Sequence, residues 1–350
     1  MLARRELMRR VGRFEQVAGV RLATLGDGPE RGVRVLEFRT GTGFEFDVLV
    51  DRCFDVGRCE LRGRSLAWLS PVGVVGPWFA EPLGLGWFRM WGGGMLVTCG
   101  LDHTLLGGVD DASQFHQDVK PTEEYGLHGR IGFMPARLTG YGERWDGDDC
   151  VLWAEGIVQQ AAVFGEALQL HRRIEARVGE SRFVVRDEVE NVGFDPATHM
   201  LLYHVNVGWP VVDEGAEYLI PAPTGDYRHL AAPTAAFREE CHEHSVSAEP
   251  DGSVPVAVVN RAAGLGAYQV YKRDQLPFHT MWRMLGEGTY AVAMEPTTNR
   301  DAGRFDARER GELMVLAPGE VRTYELEIGA LDGEMEIEAF RERVRSIHGG

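Results

Sequence analysis

With 350 residues, 44 % hydrophobic and 26 % charged, the chain reads as a soluble globular protein, long enough for one large all-β domain or two ordinary ones. A formal net charge of −16 speaks against nucleic acid and anionic membranes as partners, because both call for a basic face. The five cysteines (Cys53, Cys59, Cys99, Cys150 and Cys241) are odd in number and form no C-x-x-C pair, which argues against a disulfide framework or a zinc knuckle.

Residues 1–15 read as an arm or short helix, basic but without the apolar stretch of a secretory signal. No apolar run is long enough to span a bilayer, and a reducing, cytoplasmic location is the default expectation. From Val20 to Trp68 the pattern is strand and turn. Phe44, Phe46, Val48 and Val50 alternate with Glu45, Asp47 and Asp51, as in a half-buried strand. Ser70 to Gly94 is rich in Gly, Pro and aromatics. Trp78, Phe79, Trp87, Phe88 and Trp91 crowd there too irregularly for a helix or strand, so a long loop ordered by its aromatics is expected.

Strands are then expected at Met95–Cys99, Arg130–Leu138, Val151–Val158, Ala167–Arg177, Phe183–Glu190 and Met200–Trp209. The stretch from Glu214 to Asp251 shows no period. Strands resume at Ala257–Asn260, Gly266–Tyr271, Thr289–Glu295, Glu312–Leu316 and Arg322–Ile328. Ile337, Phe340, Val344 and Ile347 then fall at helical spacing, which predicts a C-terminal amphipathic helix over 333–348. Successive strands without intervening helices imply antiparallel sheets packed as a large all-β sandwich. No linker or low-complexity segment divides the chain, so residues 1–350 are read as one domain. The 44 glycines, spread without a period, supply the turns.

Four polar spots interrupt this apolar pattern. In Thr289–Glu295, Tyr290, Val292 and Met294 share one face, while Thr289, Ala291, Ala293 and Glu295 share the other. The second face is either a pocket floor ending in a carboxylate or an ordinary solvent face. In Met200–Trp209, Leu201, Tyr203, Val205, Val207 and Trp209 form an apolar face, and His204, Asn206 and Gly208 lie on the opposite one. A satisfied core histidine is the plain alternative there, and Asn206 beside His204 tilts the reading toward a site. His128 stands in a Gly-flanked turn, where backbone approaches a ligand or simply meets solvent. Arg89 lies among aromatics and a glycine run, either stacked on Trp or ready for a ligand. Glu240-Cys241-His242-Glu243-His244 has metal-capable side chains at a spacing that matches no ligand pattern, and it is read as a solvated loop. The glycine clusters match no nucleotide-binding fingerprint, and no G-x-S-x-G elbow is present.

Leu127-His128-Gly129, Tyr203-His204-Val205-Asn206 and Glu295-Pro296 after a Gly-rich turn, on an all-β chain, resemble the galactose mutarotase (aldose 1-epimerase) superfamily. Asp51–Ser70, Gly84–Leu101, Gly126–Ile131 and Gly286–Asn299 resemble an uncharacterised, DUF4432-like branch of it. The resemblance runs from about Val33 to Ile328 and implies a large antiparallel sandwich with a sugar site on one sheet. Carried over by position, it implies His204 as catalytic acid, Glu295 as catalytic base, His128 and Arg89 as sugar contacts, and Asp226 in the place of the sugar-binding aspartate. The chain departs from the pattern in two places. Asn206 follows His204 by two positions, where typical mutarotases have two residues more, and the L-H-G-G motif reads Leu-His-Gly-Arg.

The implied chemistry is acid–base opening and reclosure of a sugar ring at its anomeric carbon, which calls for no metal or redox cofactor. Trp282, with Trp91 or Trp209, is a candidate to stack on the ring. The expected partner is a small carbohydrate, with no nucleic acid or membrane, and an exposed strand edge would allow a homodimer. Two alternatives stay open. One is an epimerase of a sugar phosphate or other anionic sugar, with Arg130 and Arg283 as its cations. The other is a sugar-binding sandwich without catalysis.

Overall fold

The structure is a computed structural model that describes residues 3–113, 121–223 and 225–348. Every strand pair in its ladders is antiparallel. The larger sheet has eight strands in the order Glu217–Leu219, Ser253–Asn260, Leu265–Lys272, Val321–Asp332, Arg182–Asn191, Ala167–Arg177, Asp149–Ala161 and Arg137–Asp146. The second sheet runs Glu240–His244, Phe278–Gly286, Thr289–Thr297, Ala197–Val207 and Met314–Leu316, with Val97–Leu101 also paired to Ala197–Val207. A five-stranded N-terminal sheet (residues 19–65) packs on the first, with Phe46 and Phe183 rings 4.5 Å apart. This is the antiparallel sandwich expected from the strand-rich, helix-poor pattern.

The binary pattern explains where the core lies. Along Asp149–Ala161 burial alternates residue by residue, with Leu152, Ala154 and Val158 inward. One continuous core joins inward residues of both large sheets, such as Ile174, Val185 and Leu326 from one and Tyr203, Val205 and Met294 from the other. Ser253–Asn260 is buried on both faces. Its second face is covered by the C-terminal helix Glu334–His348, which sets Ile337, Phe340 and Val344 against Ala257, Val259, Tyr268 and Leu331.

Several local expectations are corrected. Arg130–Leu138 does not form one strand. Ile131–Phe133 makes a 3₁₀ turn and a strand begins only at Arg137, because Gly132 and Pro135 break the extended run. Glu240–His244 is an edge strand paired with Phe278–Gly286, not a solvated loop, and its His244 is buried. A helix at Gly303–Glu309 was not legible, and Arg304 and Arg308 tie it to the Asp110 carboxylate. Trp209 lies beyond the end of its strand and is 66 % exposed, so it belongs to neither the core nor the site.

At the junction of the three sheets Arg172 is fully buried. Its guanidinium donates to Asp55 Oδ1 at 2.7 Å, to both oxygens of Asp187, and to Thr98 Oγ1 at 2.8 Å. Asp55 also accepts from the Thr98 amide and hydroxyl, and Tyr203 Oη donates to Asp187 at 2.6 Å. Removing one member of such a centre strands charge where water cannot reach it. Arg172→Ala is therefore expected to destabilise the fold by roughly 3–5 kcal/mol, read as a lowered urea midpoint. A loss below about 1 kcal/mol, as for exposed pairs, would show that the centre is not the junction described.

Candidate active site

His204 and Glu295 are neighbours across two central strands. The register pairs Leu202 with Thr297 and Val205 with Met294, which sets His204 opposite Glu295. Alternation then sends both side chains to the face away from the main core. Val292 and Met294 of the glutamate strand pack in that core. Ala291 and Ala293 line the other side with Trp68, Trp87, Trp91 and Trp282. The small-residue face is thus buried beneath tryptophans and is not a solvent face.

Nε2 of His204 lies 3.2 Å from Oε1 of Glu295, and both residues are 3 % exposed. The two atoms are within ion-pair distance but off the line of a hydrogen bond, so Glu295 Oε1 is left without a partner. His204 Nδ1, Asn206 Oδ1 and Trp91 Nε1 are also buried and unpartnered, although Asn206 Nδ2 donates to the carbonyls of Gly94 and His204 at 2.9 Å. An orphaned buried polar group costs about 1–3 kcal/mol, and native interiors hold few. Four of them cluster at this one pair.

Burial sets the protonation of the pair. It pushes the Glu295 carboxyl up to about 8, helped by the nearby negative charge of Glu239. It pushes His204 down to about 3, against the side chain of Asn206, which favours the charged imidazole. At neutral pH the carboxyl therefore holds the proton and the imidazole is neutral.

The rings of Trp91, Trp282 and His128 lie 5.0, 5.6 and 5.8 Å from that of His204. His128 adopts φ +58°, its Nδ1 takes the Leu105 amide at 3.4 Å, and its ring packs 4.6 Å from Trp87. Burial holds its pKa well below the ordinary histidine value. The turn needs Gly129 (φ +72°), where a Cβ would come within 2.5 Å of the carbonyls of Gly100 and His103. Trp282 is anchored by its Nε1, which donates to Glu239 at 2.9 Å. Outside these rings opens a cleft of about 660 Å³, with Trp68, Trp91, Trp282, Arg238, Glu239 and Met284 among its walls.

His204, Glu295, Asn206, His128 and Trp282 are thus brought together, and four other candidates are not. Arg89 is on the surface, 62 % exposed and ion-paired with Glu81, because it lies on the outer side of a 3₁₀ turn whose inner side buries Trp87. Arg130 is turned to Glu166, and Asp226 sits exposed in a surface 3₁₀ turn. Arg283, on the opposite face of its strand from Trp282, is bound to Glu240. Sequence reasoning missed Glu239, Trp68 and Trp87 as site walls. The crowding of tryptophans was visible, but nothing in their spacing tells which turn inward. Among the described residues, no group of three or more His, Cys, Asp or Glu is arranged to hold a metal, and all five cysteines are free.

The sandwich is of the galactose mutarotase-like class. A candidate aldose 1-epimerase from Klebsiella pneumoniae matches it with a TM-score of 0.83 at 25 % identity, over 94 % of this chain and 88 % of that one. A galactose mutarotase-like protein from Clostridium acetobutylicum (TM-score 0.62, 12 % identity, 89 % and 98 % coverage) and a galactose 1-epimerase from Lactobacillus acidophilus (0.54, 13 %, 90 % and 99 %) share the fold. Within that class the chain belongs to the DUF4432 family, a domain of unknown function, matched over residues 30–330. No curated protein matches it.

Because the Glu295 carboxyl is raised to about 8 from 4.5, the folded state binds its proton more tightly than the unfolded chain does. That contribution to stability is present below the unfolded value and is lost as pH rises through about 8. Glu295→Gln removes the loss. The variant should gain in Tm over wild type at about pH 9 and much less at about pH 5. A pH-independent difference between the two melting curves would contradict a carboxyl buried in this state.

Proposed function

We propose that the protein is a carbohydrate mutarotase, an aldose 1-epimerase-like isomerase that interconverts the anomers of a free sugar. The observation that carries this reading is the buried His204–Glu295 pair, 3.2 Å apart on facing strands. Ring opening needs one group to take the proton of the C1 hydroxyl and another to give a proton to the ring oxygen. The bond from C1 to the ring oxygen breaks as the C1 carbonyl forms. Rotation about C1–C2 and the reverse transfers then close the other anomer. One acid and one base, with a single proton between them, suffice for both directions.

The resting proton lies on Glu295. For Glu295 to serve as base and His204 as acid, the roles the resemblance implies, the proton has to pass to the imidazole as a sugar fills the site. Asn206 favours that charged imidazole, and a bound sugar's hydroxyls would satisfy the carboxylate left behind. A site that exchanges one proton between two neighbouring groups suits a reaction whose forward and reverse halves use the same pair with roles exchanged.

The anionic-sugar reading loses the two cations that motivated it, since Arg130 and Arg283 are already neutralised by Glu166 and Glu240. The uncharged sugar ring fits the aromatic walls better. Its C–H face matches an indole, and its hydroxyls match the four orphaned polar atoms.

Polarimetry or NMR on a panel of free aldoses tests the reading. Purified protein should accelerate anomer interconversion of at least one sugar, and Glu295→Gln should reduce that kcat/KM by roughly 10²–10⁴. Sugar binding by calorimetry without any acceleration would instead establish the non-catalytic alternative. For the active sugar, kcat/KM should fall as pH rises through about 8, where the pair loses its proton. Undiminished activity well above that pH would show that catalysis needs no proton on the pair.

A further inference from the structure

The open cleft stops short of the acid–base pair, and the rings of Trp91 and Trp282 stand between them. The 660 Å³ cleft and a second void of about 180 Å³, on the side of Arg52, Trp87 and Gly94, have a single lining residue in common, Trp91. Trp91 thus borders both spaces. It packs 5.0 Å from the His204 ring, 4.5 Å from Trp87 and 4.9 Å from Trp68. A general acid must come within about 2.6–3.2 Å of the atom it protonates, and no sugar reaches His204 while that indole lies on it.

Resting on the reading of His204 and Glu295 as the reacting pair, we infer that the space filled by the Trp91 indole is the subsite of the reacting sugar ring. Trp91 is the side chain a sugar displaces to reach the pair. A contrast and a constraint support this. Trp282, another ring beside His204, is held by its Nε1 on Glu239, whereas Trp91 Nε1 is buried and bonded to nothing. No polar anchor keeps Trp91 in place, and leaving restores its N–H to water or to a sugar hydroxyl. The backbone around it is tied down, because the carbonyls of Trp91 and Gly92 accept from the hydroxyl and amide of Ser70 and the Gly94 amide donates to the Trp68 carbonyl. The motion is therefore a rotation of the side chain and not of the loop.

The exchange has a consequence for selection. An indole is a flat ring system with a footprint like that of a pyranose. Its departure leaves a slot against anchored Trp282 that accepts a ring presenting an apolar C–H face. Substituents of the sugar would extend into the outer cleft, toward Arg238 and Met284. Trp91 thus acts as a positioning and selecting residue, not as a proton carrier.

The test reads access to His204 directly. Neutral imidazole reacts with diethyl pyrocarbonate, and peptide mass mapping isolates the rate at His204. In wild type that rate should be slow. Trp91→Phe, with a smaller ring, should raise it several-fold, and Trp91→Leu should raise it at least tenfold, with far-UV circular dichroism unchanged. Equal rates in wild type and Trp91→Phe, or a Trp91→Leu rate within twofold of wild type, would overturn the inference. The Phe variant keeps the test alive if the Leu variant does not fold. If the ordered rates appear but no protein accelerates mutarotation of any aldose, the gate stands and the proposed activity falls.

Discussion

The structure depends on one buried charge centre. Arg172, on the eight-stranded sheet, holds Asp187 from the same sheet, Asp55 from the N-terminal sheet and Thr98 from the strand that flanks Ala197–Val207. Tyr203 reaches the same carboxylate, Asp187, from the strand that carries His204. A guanidinium in a dry interior is costly unless every nearby acceptor is placed to meet it, so few arrangements of the three sheets satisfy it. That constraint reaches the pocket by one peptide bond. With Tyr203 fixed toward the core, alternation turns His204 to the opposite face. A one-residue slip would put the histidine in the core and leave Asp187 without its tyrosine.

The pocket face uses the same physics in the other direction. At the Arg172 centre, desolvation is offset by opposite charges. At His204 and Glu295 it is not, and the pair settles by holding its single proton on the carboxyl and leaving the imidazole neutral. Four tryptophans and two alanines keep water away and leave four polar atoms unsatisfied. Such an arrangement is locally unfavourable. The rigid core behind Val205 and Met294 maintains this unfavourable arrangement.

Much of the frame was legible in the chain. Period-2 alternation assigned the faces of Thr289–Glu295 and, up to Val207, of Met200–Trp209, and helical spacing located the C-terminal helix. These patterns depend on which side of an element meets water, a local property. What failed was also local in form but decided elsewhere. Glu240–His244 looks like a polar loop and is a strand because Phe278–Gly286 offers it a ladder. Gly303–Glu309 is a helix held by Asp110. Arg130 and Arg283 look like cations for an anionic sugar and Arg89 like a sugar contact, and they are occupied by Glu166, Glu240 and Glu81.

The sequence by itself determined the class of fold, the two strands that bear the polar pair and the residue types able to exchange a proton. Hydrophobic periodicity and side-chain chemistry are written residue by residue. Only the tertiary structure decided that His204 and Glu295 meet, because cross-strand register is fixed by contacts some ninety residues apart in sequence. It alone decided which of the tryptophans closes over the pair and which carboxylates had already taken the arginines. Burial, and with it the position of the proton, belongs to the assembled sheets and to no segment of the chain.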